Sequence, residues 1–131
     1  MKLNIMKNMI KMDDIIAFIE RAMKENLKMA TDTQDYTNFS LCRIEVCKTA
    51  DECVVFEIYK NDNCCGAKIR QGILSNWVDI EISEMDFALF KVEFLKAQEY
   101  AKNKVIKAFN DFFKDMDSRP TTINDLDDEN D

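Results

Sequence analysis

The chain has 131 residues, a formal net charge of −7, no histidine, two glycines and one proline. A domain of this length buries enough surface to fold without a metal or a disulfide. The absence of histidine removes the commonest general base, the commonest zinc nitrogen ligand and every Ser-His or Cys-His nucleophile.

The charge is uneven. Residues 117–131 hold Asp117, Asp125, Asp127, Asp128, Glu129 and Asp131 against Arg119 alone, so the body 1–116 is close to neutral. Neither part carries the basic footprint of a nucleic-acid binder. Lys2, Lys7 and Lys11 interrupt the N-terminal apolar runs, and no run approaches the roughly 18 apolar residues of a membrane span. Cytoplasmic residence is therefore expected, with the five cysteines as free thiols.

In chain order, a first helix is expected from Asp13, with Asp13 or Asp14 as N-cap and Ile15, Ile16, Ile19, Ala22, Met23 and Leu27 as its apolar stripe. Glu20 and Lys24 form an i,i+4 pair on the other side. Met6, Met9 and Ile10 can continue the stripe, so the sequence leaves open whether residues 1–12 join this helix. The polar run Thr31 to Asn38 reads as a loop.

Two strands then fix each other's register. Folding the chain about Ala50 opposes Val46 with Val54, Ile44 with Phe56 and Cys42 with Ile58 on one face. It opposes Cys47 with Cys53, Glu45 with Val55, Arg43 with Glu57 and Leu41 with Tyr59 on the other. A one-residue slip would put the apolar set into water. A turn at Asn61-Asp62 leads to a third strand over 65–73, with Ala67 and Ile69 inward, Lys68 and Arg70 outward, and Gly66 and Gly72 as weak points or bulges. A fourth strand over 77–82 turns Val78, Ile80 and Ile82 inward. Ser83, with Asp86 three residues on, caps a long helix over 84–116. Its stripe Phe87, Phe90, Phe94, Ala97, Ala101, Val105, Ala108, Phe109, Phe112, Phe113 and Met116 has a core-facing width, while Met85, Leu89, Val92 and Leu95 fall outside it. At about 1.5 Å per residue this helix outruns a four-stranded sheet. Residues 117–131 read as a disordered acidic tail. The fold expected is α+β: an N-terminal helix, a four-stranded antiparallel meander and a long C-terminal helix, with both helices on one sheet face.

Chemistry is sparse. Cys47, Cys53 and Cys64 share the outer face in this register, Cys64 opposite Tyr59. Their spacing does not match the paired zinc pattern, so thiols acting as small apolar residues are favoured over a metal or redox cluster. Asp79, Glu81, Glu84 and Asp86 gather at a strand-to-helix junction, where acids suit a helix start. Arg43, Tyr59, Lys68 and Arg70 form a face that can meet a phosphate or a nucleotide, but a solvated ladder of opposite charges is the favoured account of them. No phosphate-binding glycine loop is present.

The expected role is a non-enzymatic protein-interaction module with no cofactor or metal. Its partner is another protein or a second copy, met through Met85, Leu89, Val92, Leu95, Phe109 and Phe113, with no membrane and no direct nucleic-acid contact. In size and acidity alone the chain resembles anti-restriction and anti-CRISPR proteins. That likeness implies a phage or mobile-element inhibitor of a host nucleic-acid enzyme, with Asp125, Asp127, Asp128 and Glu129 of the tail in a basic channel. The alternatives are an acidic dimer similar to secretion chaperones and a small-ligand or nucleotide binder using the outer sheet face.

Overall fold

A computed structural model describes residues 10–72 and 76–118. Asp117 and Ser118, expected in the acidic tail, are helical instead; the expectations placed on residues 1–9 and on the rest of the tail, with Asp125, Asp127, Asp128 and Glu129, lie outside the described residues. The elements run α1 (Met12–Lys24), β1 (Lys28–Tyr36), β2 (Phe39–Cys47), β3 (Cys53–Asn61), β4 (Cys65–Gln71), β5 (Val78–Ile82) and α2 (Glu84–Ser118). The class is α+β, and the strands form one antiparallel meander in the order β1-β2-β3-β4-β5. The chain divides after Ala101 into two compact units.

The sheet has five strands instead of the expected four. The additional strand, β1, covers most of the segment read as a loop. Only Met29 among its nine residues is buried, so it lacks the alternation of apolar residues by which a half-buried strand is read. Its pairing with β2 runs from Lys28↔Cys47 to Tyr36↔Phe39, closed by the two residues Thr37 and Asn38. Polar cross-links reinforce it: Thr33 Oγ1 donates to the Leu41 carbonyl at 3.0 Å and Ser40 Oγ donates to Asp35 Oδ1 at 2.8 Å.

Helix α1 stops short of Leu27 for a local reason. Asn26 adopts φ 61°, the Leu27 N–H bonds to the Ala22 carbonyl, and the Asn26 N–H bonds to the Met23 carbonyl. This is the left-handed C-terminal motif in which asparagine can replace glycine. Leu27 still packs on the core, from outside the helix. At the other end Lys11 is the N-cap residue in place of Asp13 or Asp14, and the Asp14 carboxylate accepts the Lys11 N–H at 2.9 Å. In α2 the expected cap is present: Asp86 N–H donates to Ser83 Oγ at 3.0 Å and Ser83 N–H donates to Asp86 Oδ2 at 3.4 Å.

The β2–β3 register matches the expectation pair by pair, from Leu41↔Tyr59 to Cys47↔Cys53. The next turn is displaced. Asn61 Oδ1 accepts the N–H groups of Asn63 and Cys64, so Asp62 and Asn63 form the turn. Tyr59 therefore faces Gly66, and Cys64 lies outside the strand. Gly66 makes no bulge, since the ladder is continuous through it. It is buried, and a Cβ there would land on the ring and hydroxyl of Tyr59. Gly72 sits at φ 78° as β4 ends, a backbone region that glycine occupies freely.

Parallel rows of side chains cross the sheet. Thr31, Ile44, Phe56, Ile69 and Val78 form one row of the core face, and Thr33, Cys42, Ile58, Ala67 and Ile80 form the next. Met12, Ile15, Ile19 and Ala22 of α1 and Phe87, Phe90, Phe94 and Ala97 of α2 complete the same core cluster. Phe18 meets Phe56 with ring centres 5.5 Å apart. The Tyr100 hydroxyl donates to the Leu27 carbonyl, fastening α2 to the chain just after α1.

Candidate functional site

Helix α2 holds most of the exposed apolar surface among the described residues. In the first unit its core stripe is Phe87, Phe90, Phe94 and Ala97, with Ala101 partly buried. Helix α1 leaves the other apolar residues of this stretch uncovered. Met85, Leu89, Val92 and Leu95 are between 47% and 73% exposed. In the second unit Val105, Ile106, Phe109, Phe112, Phe113 and Met116 are between 41% and 68% exposed. The expectation of a core-facing stripe over the whole helix therefore fails for Val105, Ala108, Phe109, Phe112, Phe113 and Met116. The Phe109 and Phe113 rings meet edge to face at 4.6 Å, and Phe112 and Phe113 at 6.2 Å. All six residues expected to meet a partner are exposed. Val105, Phe112 and Met116, assigned to the core-facing stripe alone, and Ile106, assigned to neither, are exposed beside them.

The outer sheet face gathers the four residues expected to meet a ligand in three neighbouring rows. Its cations meet different neighbours, and the buried Arg70 Nε has no hydrogen-bond partner among the described residues. Arg43 lies 3.5 Å from both Glu45 and Glu57. Lys68 stands between Glu57 and Asp79 in the register. The Arg70 guanidinium lies 4.6 Å over the Trp77 ring. Tyr59 stacks on Phe39 at 6.5 Å, and burial first, then the Asp79 charge, pushes its hydroxyl up.

Comparison with protein-family models, with curated proteins and with solved structures returns no match.

Two clusters carry titratable or metal-ligating chemistry. The first is at the hairpin end of the outer face. Cys47 and Cys53 are direct partners with Cα atoms 4.1 Å apart, and the structure joins them as a disulfide. The free-thiol expectation is corrected for this pair and holds for Cys42, Cys64 and Cys65. Burial pushes the Cys42 and Cys65 thiols up, which keeps them protonated and poorly nucleophilic. Glu45, on the same face, places Oε2 at 3.7 Å from the Cys47 sulfur. Glu45, Cys47 and Cys53 form the one set of three described residues whose ligand atoms all lie within 4.8 Å of one another. The acids Asp79, Glu81, Glu84 and Asp86 do not converge in this way. Glu45 escaped the sequence reading because it faces Val55 in the register, and only its χ angles turn it along the strand toward Cys47.

The second cluster joins α1 to α2. Glu93 is buried, and its Oε2 has no hydrogen-bond donor. Lys96 Nζ lies 3.5 Å from Glu93 Oε1 and 3.1 Å from Glu20 Oε2. Burial first, then the Glu20 carboxylate, pushes the Glu93 carboxyl up to about 7, so that it can donate its proton to Glu20. Glu20 is held below the usual carboxylate range by that hydrogen bond and by Lys96. Lys24, its expected partner, adds only a weaker field. Nothing in the sequence marks Glu93, which follows Val92 on a helix rich in acids.

No helix among the described residues is long and apolar enough to cross a membrane.

Proposed function

We propose that this chain is a protein-interaction module that packs a helix of another polypeptide against the apolar side of residues 102–118. One observation carries the reading: every large apolar side chain of that stretch is exposed, and the four central ones are regularly spaced. Val105, Phe109, Phe112 and Met116 follow at intervals of four, three and four residues, the spacing of a helix-pairing seam. Ile106 and Phe113 flank the seam, and Lys107, Asp111 and Lys114 occupy the opposite side, with Lys107 paired to Asp111 at 2.8 Å.

Half-exposed phenylalanines each offer about 100 Å². Phe109, Phe112 and Phe113 together supply on the order of 300 Å² of the roughly 800 Å² that each partner buries in a stable interface, and Val105, Ile106 and Met116 add to it. A second copy is the first partner to test, because the seam is symmetric about its midpoint. In an antiparallel pair Val105 meets Met116, and Phe109 meets Phe112. The narrower form of the proposal, an inhibitor of a host nucleic-acid enzyme, adds a second contact through the acidic residues beyond the helix.

Sedimentation velocity from micromolar to millimolar concentration is the test. Concentration-dependent association is expected, and Phe109→Asp should weaken it by roughly 30-fold or more, the effect of losing a hot-spot residue. A chain that stays monomeric throughout, and from a native lysate retains nothing that depends on Phe109, overturns the proposal.

A further inference from the structure

We propose that, once its disulfide is reduced, the Cys47–Cys53 pair joins Glu45 in a binding site for a thiophilic divalent cation, zinc being the expected one. The site is independent of the apolar seam on α2.

Strand pairing fixes the two sulfurs: their residues are direct partners, so opening the bond leaves both thiols facing the same side of the sheet. The third donor is already in range. Glu45 Oε2 lies 3.7 Å from the Cys47 sulfur, and a tetrahedral zinc with bonds of about 2.3 Å to sulfur and about 2.0 Å to oxygen spans about 3.5 Å between those atoms. The other oxygen of Glu45 is held by Arg43 at 3.5 Å, and Arg43 is itself braced by Glu57 at 3.5 Å. Outer partners of this kind orient a ligating carboxylate and leave one oxygen aimed at the metal. The charges also suit a cation here. Two thiolates and a carboxylate around a divalent ion leave one negative charge, and Lys28, the strand partner of Cys47, stands beside it with Arg43. Water completes a site with three protein ligands. Two sulfurs and one oxygen select zinc or cadmium over magnesium or calcium.

The steps balance. A dithiol reductant supplies two electrons and two protons, leaving Cys47 and Cys53 as thiols and itself as a disulfide. Metal binding then releases two protons as the sulfurs become thiolates.

The test titrates Co²⁺ into the full chain, reduced and kept free of oxygen. A 1:1 complex with sulfur-to-cobalt charge-transfer absorption, displaced by Zn²⁺, is expected. Cys47→Ser and Cys53→Ser should abolish the band, Arg43→Gln should weaken binding by about tenfold, and Cys64→Ser should change nothing. Far-UV circular dichroism checks that each variant is folded. If a serine variant is not folded, Glu45→Gln decides, with unchanged affinity counting against the site. Absence of the band in the reduced parent chain, its survival in folded Cys47→Ser, or its loss in Cys64→Ser overturns the proposal.

Discussion

Two stretches of one helix carry three phenylalanines each and meet opposite fates. Phe87, Phe90 and Phe94 are at most 8% exposed, whereas Phe109, Phe112 and Phe113 are at least 46% exposed. The first three belong to a core shared with α1 and with the inner rows of the sheet. The ring contacts of the second three are with one another along their own helix. Residue type is the same in both, and each set lies toward one side of the helix. What differs is the supply of facing side chains, so an apolar stripe specifies the side of a helix that wants cover without specifying the source of that cover.

Three substitutions probe this contrast. The largest effect is expected for Phe90→Ala, which empties the centre of the core and should cost about 3–5 kcal/mol in urea unfolding. A loss below about 1 kcal/mol would mean that the first stretch is no better packed than the second.

Glu93→Gln comes next, and its sign depends on pH. The Glu93 carboxyl keeps its proton up to about pH 7 in the fold, against an ordinary value of 4.5. The stability contributed by its protonated form is therefore complete below pH 4.5 and is lost as pH rises through 7. Glu20, whose value is lowered, works the other way: its contribution is present above 4.5 and is lost as pH falls through its folded value. A neutral amide removes the Glu93 part. The variant should melt roughly 5 °C above the parent at pH values above 7, with the gap closing toward pH 4.5. A gap independent of pH would dissociate Glu93 from the coupling between α1 and α2.

Phe112→Lys should have the smallest effect, within about 0.5 kcal/mol in samples dilute enough to be monomeric. A cost several times larger would show that the second stretch is packed within the lone chain.

The β2–β3 hairpin was fully legible because its apolar alternation and its Arg43–Glu57 pairing agree on one register. The next turn was misplaced because the side chain of Asn61, which the reading put inside the turn, caps it instead. That moved the partner of Tyr59 from Cys64 to Gly66, two positions along the same face. Strand β1 was missed because an edge strand with Met29 as its single buried residue has little apolar signal to give. The exposed residues of α2 were legible in part: Met85 and Leu89 sit off the stripe, whereas Phe112 sits on it. The glutamates went unread because Glu45 and Glu93 gain their chemistry from neighbours supplied by side-chain rotation and tertiary packing, which periodicity does not encode.

Among the described residues the meander does not close on itself, and β1 and β5 stand at its two edges. Each rim is guarded by charge: Lys28, Asp32 and Asp35 along one, Asp79 and Glu81 along the other. Charged margins discourage a foreign strand from adding to the sheet. Such charge disfavours edge-to-edge growth into fibres and favours recognition through side chains over added backbone pairing.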